Sequence, residues 1–505
     1  MTVETSTTHG GREPLDSRVF RSAAIAVAIA WSMRLIGLIS VLVLARVLTP
    51  GDFGIFALAM SVLSLVNIFS ALGLRQALLR IPAPERGHYD TAWTIQLLVL
   101  VALAVVLVAL GPLAAWFYDR PELTLIIAIL ASSFVIDGFA NIGVVDFDRH
   151  LELGRDLRMR LCIRLSTFAT TVSAALILRD YWALVIGAVV HSLIYAIATY
   201  LFHPFRPRFS LEKRRELLGV SWWMFLASAA HTIQKQFERI LIGRITSMRV
   251  LGFYSVSKDL SSIFTEEIAT ALNRVTFVTT AQTGRPLSAD PQRLAPMLGS
   301  YALIAAPLGL GLTATAEDAA AVLLGPQWAG AASLLAIIAP ACAIYAVYNL
   351  IISTLQAAGN ARKAALMALA GAGLMVATTA TIALAGGGVY GLALTVLFVA
   401  GAVLASGIFV LSREAATNPL VLAIAVVRPF LAATLMWLVL LAFPPTGLST
   451  FASLAVDVVI GAGLYVLFTC AIWIATGRHE GAERLIWNMI PDVLSRFTTG
   501  KPTAP

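Results

Sequence analysis

Apolar residues run through this chain in continuous blocks, separated by short clusters of Arg, Lys, Pro and Gly. Each block is about as long as the ~20 residues a helix needs to cross a bilayer core of ~30 Å. Strands of a membrane barrel would alternate polar and apolar residues instead. The blocks predict helices over roughly 20–45, 53–73, 92–118, 122–146, 160–178, 182–203, 219–243, 250–273, 295–315, 330–354, 364–385, 388–412, 420–443 and 451–476. The connections between them are short, so no folded domain is expected outside the membrane.

Composition agrees. Of 505 residues, 59% are apolar and 13% charged, with a mean hydropathy of +0.84. Soluble domains run nearer 45–50% apolar and ~25% charged. The expected fold class is therefore an all-α integral membrane protein with about fourteen transmembrane helices. The net charge of +8 does not indicate a nucleic-acid partner, because the basic residues are dispersed in short clusters between apolar blocks. Cys162, Cys342 and Cys470 sit singly inside apolar blocks and read as small hydrophobes, with no disulfide or metal role. No nucleotide-binding Gly-x-x-x-x-Gly-Lys-Ser/Thr occurs, and no cofactor or metal is expected.

Charge also votes on sidedness. With the N-terminus placed inside, 26 of the 36 basic residues fall in inside segments and 5 outside. The positive-inside rule then puts both termini in the cytoplasm. Residues 1–19 read as a polar tail without a cleavable leader. Residues 204–218 read as a basic inner linker, and residues 477–505 as a tail whose Leu485, Ile486, Trp487, Met489 and Ile490 suit an interfacial helix.

The chain repeats itself. At an offset of 198, Arg46 meets Arg244, Thr49 meets Ser247, Gly54 meets Gly252 and Phe56 meets Tyr254. At an offset of 208, Asn141 meets Asn349 and Trp182 meets Tyr390. This predicts two parallel six-helix lobes, residues 20–203 and 219–412, followed by two further helices in 413–476. Repeated halves enclosing a substrate path are a common build of secondary transporters.

The turn Leu44-Ala-Arg-Val-Leu-Thr-Pro-Gly-Asp-Phe-Gly-Ile-Phe-Ala-Leu-Ala-Met60 resembles the entry signature of bacterial polysaccharide exporters. So do Phe69-Ser-Ala-Leu-Gly-Leu-Arg75, Asp180-Tyr-Trp-Ala-Leu-Val185, the basic linker and Leu355-Gln-Ala-Ala-Gly-Asn360. These proteins belong to the multidrug/oligosaccharidyl-lipid/polysaccharide exporter superfamily. The resemblance implies a central cavity bounded by the first, second, seventh and eighth spans and opening alternately to either face. It further implies that a polyprenyl-diphosphate-linked oligosaccharide is flipped from the cytoplasmic to the outer leaflet of a bacterial plasma membrane. Membrane lipids and a polysaccharide polymerase or glycosyltransferases would then be partners.

Charges inside spans cost ~2.5–3.5 kcal/mol each on insertion scales, so they face a partner or a wet cavity. Arg34, Lys235, Arg239 and Lys258 are the candidate cavity cations, suited to diphosphate. Asp137, Asn141, Glu238, Asp259 and Glu266 are candidate polar or coupling groups, with Ser133, Asp137 and Asn141 forming one helical stripe and His231 sharing the seventh span's charged face. The competing reading makes these charges structural pairs locking helices together. Two other functions compete: a cation-coupled multidrug antiporter, which favours acidic cavity groups, and a membrane-embedded glycan polymerase or glycosyltransferase, which needs larger outer loops.

Overall fold

The computed structural model describes residues 33, 35–70, 73–150, 152–217, 222–283, 287, 291–444 and 449–476. Among them every regular element is helical. The first lobe contains α1 (Leu35–Val47), α2 (Pro50–Asn67), α3 (Leu74–Arg80), α4 (Arg86–Tyr118), α5 (Glu122–Gly138), α6 (Val145–Arg149), α7 (Leu153–Leu178) and α8 (Trp182–Phe202). A short α9 (Arg214–Leu217) lies in the linker. The second lobe contains α10 (Trp222–Ile245), α11 (Met248–Thr283), α12 (Leu294–Ala314), α13 (Ala316–Ala319), α14 (Ala332–Ala357), α15 (Ala361–Leu384) and α16 (Gly388–Glu414). Helices α17 (Pro419–Ala442) and α18 (Thr450–Ala475) follow.

Among the described residues, ten helices are long and apolar enough to cross a membrane, and eleven if one bent pair counts as a span. Helices α1, α10 and α11 fall outside that set. The described part of α1 is short, while α10 and α11 carry charges that apolar spans exclude. A helix therefore stands at each expected position without fourteen clear apolar crossings.

The bent pair corrects one expectation. The block 122–146 does not form one helix: α5 ends at Gly138, and the segment Ile142–Arg149 leaves at 68°. Asn141 is the reason. Its Oδ1 accepts the Gly143 N–H at 2.9 Å, its backbone N–H donates to Thr199 Oγ1 at 2.9 Å, and its Nδ2 donates to the Phe205 carbonyl at 2.7 Å. A buried amide with its own partners competes successfully with helix continuation. The polar stripe expected through Ser133, Asp137 and Asn141 thus stops before Asn141.

The linker is strapped to the first lobe. Backbone N–H groups of Arg208, Ser210 and Lys213 donate to Asp90 Oδ1, Thr94 Oγ1 and Thr91 Oγ1 at 2.7, 3.0 and 3.3 Å. Arg86 donates to the Arg206 carbonyl at 3.0 Å, and His88 meets Glu216 at 2.9 Å. The His88 hydrogen bond, with Lys213 beside it, holds the Glu216 carboxyl below its ordinary range.

Corresponding helices pair alike in the two lobes. Helix α4 packs on α5 as α12 packs on α14, α5 on α8 as α14 on α16, and α7 on α8 as α15 on α16. The lobes meet where α2 lies against α10 and α11. There one apolar core passes from Ile55 and Leu58 through Ile242, Leu251 and Tyr254 to Leu334 and Ile338. Helix α17 packs on α12, and α18 on α17.

Small residues within the helices differ in their surroundings. Gly371 and Gly461 are packing sites, where a Cβ would stand 3.0 Å from Val403 and 3.2 Å from Leu440, while Gly373 and Gly463 face open space. Cys342 is buried as expected, but Cys162 is exposed. Pro307 and Pro340 lie inside α12 and α14, and Pro112 and Pro429 also sit within helices.

Candidate functional site

At the end of the bundle carrying the α1–α2 and α10–α11 turns, the lobes close on each other through glycine. A Cβ on Gly54 would collide with the Met248 carbonyl oxygen and stand 3.1 Å from Gly252 N. A Cβ on Gly252 would collide with the Pro50 carbonyl oxygen and stand 3.2 Å from Gly54 N. The contact is reciprocal at the offset of 198, as a twofold-related pair requires. Nearby, Trp328 is fully buried, donates from Nε1 to the Ala45 carbonyl at 2.7 Å and lies edge-on to Phe53 with centroids 5.3 Å apart. Gln327 donates to Ala45 and Leu48 carbonyls at 2.6 and 3.1 Å. Arg46 donates to the Val322 carbonyl at 2.5 Å, and the Arg244 guanidinium lies 5.7 Å from the Phe117 ring centroid. Both arginines anchor turns.

Below this seal lies the charged cluster of α10 and α11. Spacings of three and four residues put Lys235, Glu238 and Arg239 near one face of α10, but their partners come from α11. Glu238 Oε1 forms an ion pair with Lys258 Nζ, which also donates to the Lys235 carbonyl at 3.0 Å. Arg239 donates to Asp259 Oδ1 at 2.5 Å. Two interhelical ion pairs thus join α10 and α11. Their surroundings differ: the Glu238 side chain is 0% exposed and Lys258 14%, whereas Arg239 is 14% and Asp259 55% exposed. Lys235 is half-buried on the same helix. The cluster thus gathers Lys235, Arg239 and Lys258 with Glu238 and Asp259 on two neighbouring helices. Arg34 lies outside the described residues, and of Glu266 only the backbone, within α11, is described.

Two curated relatives place this geometry in context. The succinoglycan biosynthesis transport protein ExoT of Rhizobium meliloti (strain 1021) is 25% identical over 303 residues, 60% of this chain and 61% of that protein. The lipopolysaccharide biosynthesis protein WzxC of Escherichia coli (strain K12) is 21% identical over 305 residues, 58% and 60% of the two chains. The alignments thus span about 60% of these relatives' length. The family described as polysaccharide biosynthesis protein matches residues 43–333, more than half of the 505. The chain belongs to this family. Its fold is that of the lipid II flippase MurJ in an inward closed conformation, with a TM-score of 0.73 at 13% identity over 90% of this chain and 99% of that one. An inward-facing multidrug resistance MATE transporter of the MOP superfamily shares the fold less closely, with a TM-score of 0.55 at 15% identity over 78% and 99% of the chains.

This polysaccharide biosynthesis family member holds a second polar site, inside its first lobe. A cavity of about 440 Å³ is lined by Asn67, Arg75, Gln96, Asp137, His191 and Tyr195 among others. Gln96 donates to the Asp137 carbonyl at 3.3 Å, His191 Nδ1 meets Thr167 Oγ1 at 3.2 Å, and Arg75 pairs with Asp148, its Nε at 3.0 Å. Asp137 therefore lies apart from the α10–α11 charges, and Asn141 serves the linker strap. Sequence reasoning overlooked Gln96 and His191, although each is a polar residue inside an apolar block. Arg75 was counted only as a loop charge.

Proposed function

We propose that the protein flips a polyprenyl-diphosphate-linked oligosaccharide from the cytoplasmic to the outer leaflet by alternating access between its two lobes. The observation that carries this reading is the charged cluster of α10 and α11, where Lys235, Arg239 and Lys258 stand beside Glu238 and Asp259 two to four helical turns from a seal made of backbone contacts. A diphosphate leaving water needs replacement donors, which Arg supplies as a fork and Lys as a point charge. The glycine contact brings two backbones together without interlocking side chains, so it can separate. Arg34 and Glu266 are assigned to the same cavity from their spans.

The linker end is assigned to the cytoplasm, with both termini, on the strength of the 26 to 5 basic bias. The division into lobes 20–203 and 219–412, with 413–476 appended, follows the repeat. Asp137, in its separate cavity, is the coupling candidate. Transport, with no catalysis by the chain itself, is the activity proposed, and a polysaccharide polymerase or glycosyltransferases would act on the flipped product.

The test is surface glycan per molecule of inserted protein in a strain lacking the chromosomal copy. Lys235→Ala should lose export at unchanged protein abundance, and adding Glu238→Ala should not restore it. Wild-type export per molecule in Lys235→Ala and Arg239→Gln would overturn the cavity assignment.

A further inference from the structure

Two ion pairs of the same chemistry join α10 and α11, and they are not equivalent. Glu238 is sealed from solvent and its partner Lys258 is tied to the Lys235 carbonyl, so this pair fastens the two helices. Arg239 is held by a carboxylate that is itself 55% exposed. Its Nε is buried and finds no acceptor, leaving the guanidinium fork only partly used. Asp259 lies seven residues after Gly252, two turns or about 10 Å further along α11, on nearly the face that carries the glycine contact. On α10, Lys235 and His231 precede Arg239 by one and two turns, a row of basic side chains about 12 Å long that ends at this guanidinium.

We propose that Asp259 is a built-in competitor for the anionic substrate: in the unloaded carrier its carboxylate occupies Arg239, and a phosphate of the incoming lipid diphosphate takes its place. This rests on the flippase reading and deepens it. The exchange replaces one charge-assisted bond by a fork-to-phosphate contact that also uses the idle Nε. It spares an unloaded carrier an unpaired buried guanidinium, which is costly in a low-dielectric site. The displaced carboxylate is already half in solvent and needs only a rotamer change to hydrate fully. The Glu238–Lys258 pair stays made throughout.

The experiment uses the purified full chain in detergent, with inorganic pyrophosphate as the probe and calorimetric titration as the readout. Asp259→Asn removes the competing charge and should tighten pyrophosphate binding about tenfold or more over wild type. Asp259→Glu keeps the charge and should give no such gain, and Arg239→Gln should bind more weakly than wild type. Thermal unfolding of each variant checks that it is folded, and Asp259→Ser replaces Asp259→Asn if the latter is not. Affinity unchanged in both neutral Asp259 variants overturns the proposal, as does undetectable binding in all forms. So does a gain that persists when Arg239→Gln is added, because the anion then sits elsewhere. Failure of the export reading is seen separately: a wild-type chain that restores no surface glycan, yet shows the Asp259→Asn gain, loses the flippase function and keeps the exchange.

Discussion

Substituting Gly54 by Ala introduces one carbon where the structure has a backbone carbonyl. The new Cβ falls inside the contact distance of the Met248 oxygen and stands 3.1 Å from Gly252 N. Neither atom belongs to a flexible side chain, so relief requires α2 and α11 to part by about 1 Å or more to regain carbon contact distances near 3.5 Å. Overpacking of this kind costs roughly 1–3 kcal/mol. Closeness at this end exists only while the lobes are sealed there, so the penalty falls on the sealed state and spares an open one. A penalty of about 2 kcal/mol shifts the ratio of sealed to open molecules roughly thirtyfold, at about 1.4 kcal/mol per factor of ten. A single cysteine placed at a buried position of the seam, for example Ser255→Cys with the three native cysteines replaced, should label with an impermeant maleimide much faster in Gly54→Ala than in the parent. Gly252→Ala should do the same. The double variant should fall short of the sum, because both changes open one contact. Equal labelling rates in parent and both single variants would refute the reasoning and leave the glycines as ordinary helix residues.

Three further outcomes are expected. A periplasm-active reporter fused at residue 210 should be silent and one at residue 317 active, since residue 210 lies in the basic linker; the reverse pattern would invert the topology. Trp328→Phe, which deletes the 2.7 Å bond to the Ala45 carbonyl, should lower unfolding free energy by about 1 kcal/mol, and Trp328→Ala by about 3–5 kcal/mol, read from unfolding in detergent. The His88 hydrogen bond depresses the Glu216 pKa, so its contribution is complete above the ordinary carboxylate value of ~4.3 and drains away as pH falls through the lower folded value. The apparent Tm should therefore drop on acidification from about pH 6 to about pH 4, and less so in Glu216→Gln; identical pH profiles would remove Glu216 from the strap's energetics.

The helices were legible because a bilayer demands long apolar runs, and the described ends of α8, α14 and α16 lie within a few residues of the expected 182–203, 330–354 and 388–412. The break after Gly138 was not, because Phe139-Ala-Asn-Ile-Gly-Val-Val145 continues the apolar run. Only the partners of Asn141, some sixty residues away, show that its amide ends a helix. The charges on α10 and α11 were found, but their pairing was not. Spacing within one helix names neighbours on that helix, whereas Glu238–Lys258 and Arg239–Asp259 depend on the register between two helices. Likewise the repeat announced that Gly54 and Gly252 are equivalent without implying that they touch.

That they touch bears on how the two halves have been free to evolve. If the halves descend from one duplicated unit, a single glycine in a self-associating ancestor served both sides of the contact. After fusion each glycine came under its own constraint, since either one gaining a Cβ strikes the other half's backbone. At the contact itself the positions supplying the struck carbonyls, Pro50 and Met248, present main-chain oxygen to the glycines, and they carry unlike side chains at equivalent places. Divergence around this seam should therefore be free in side chains that merely lend their backbone and closed at the two residues that must have none.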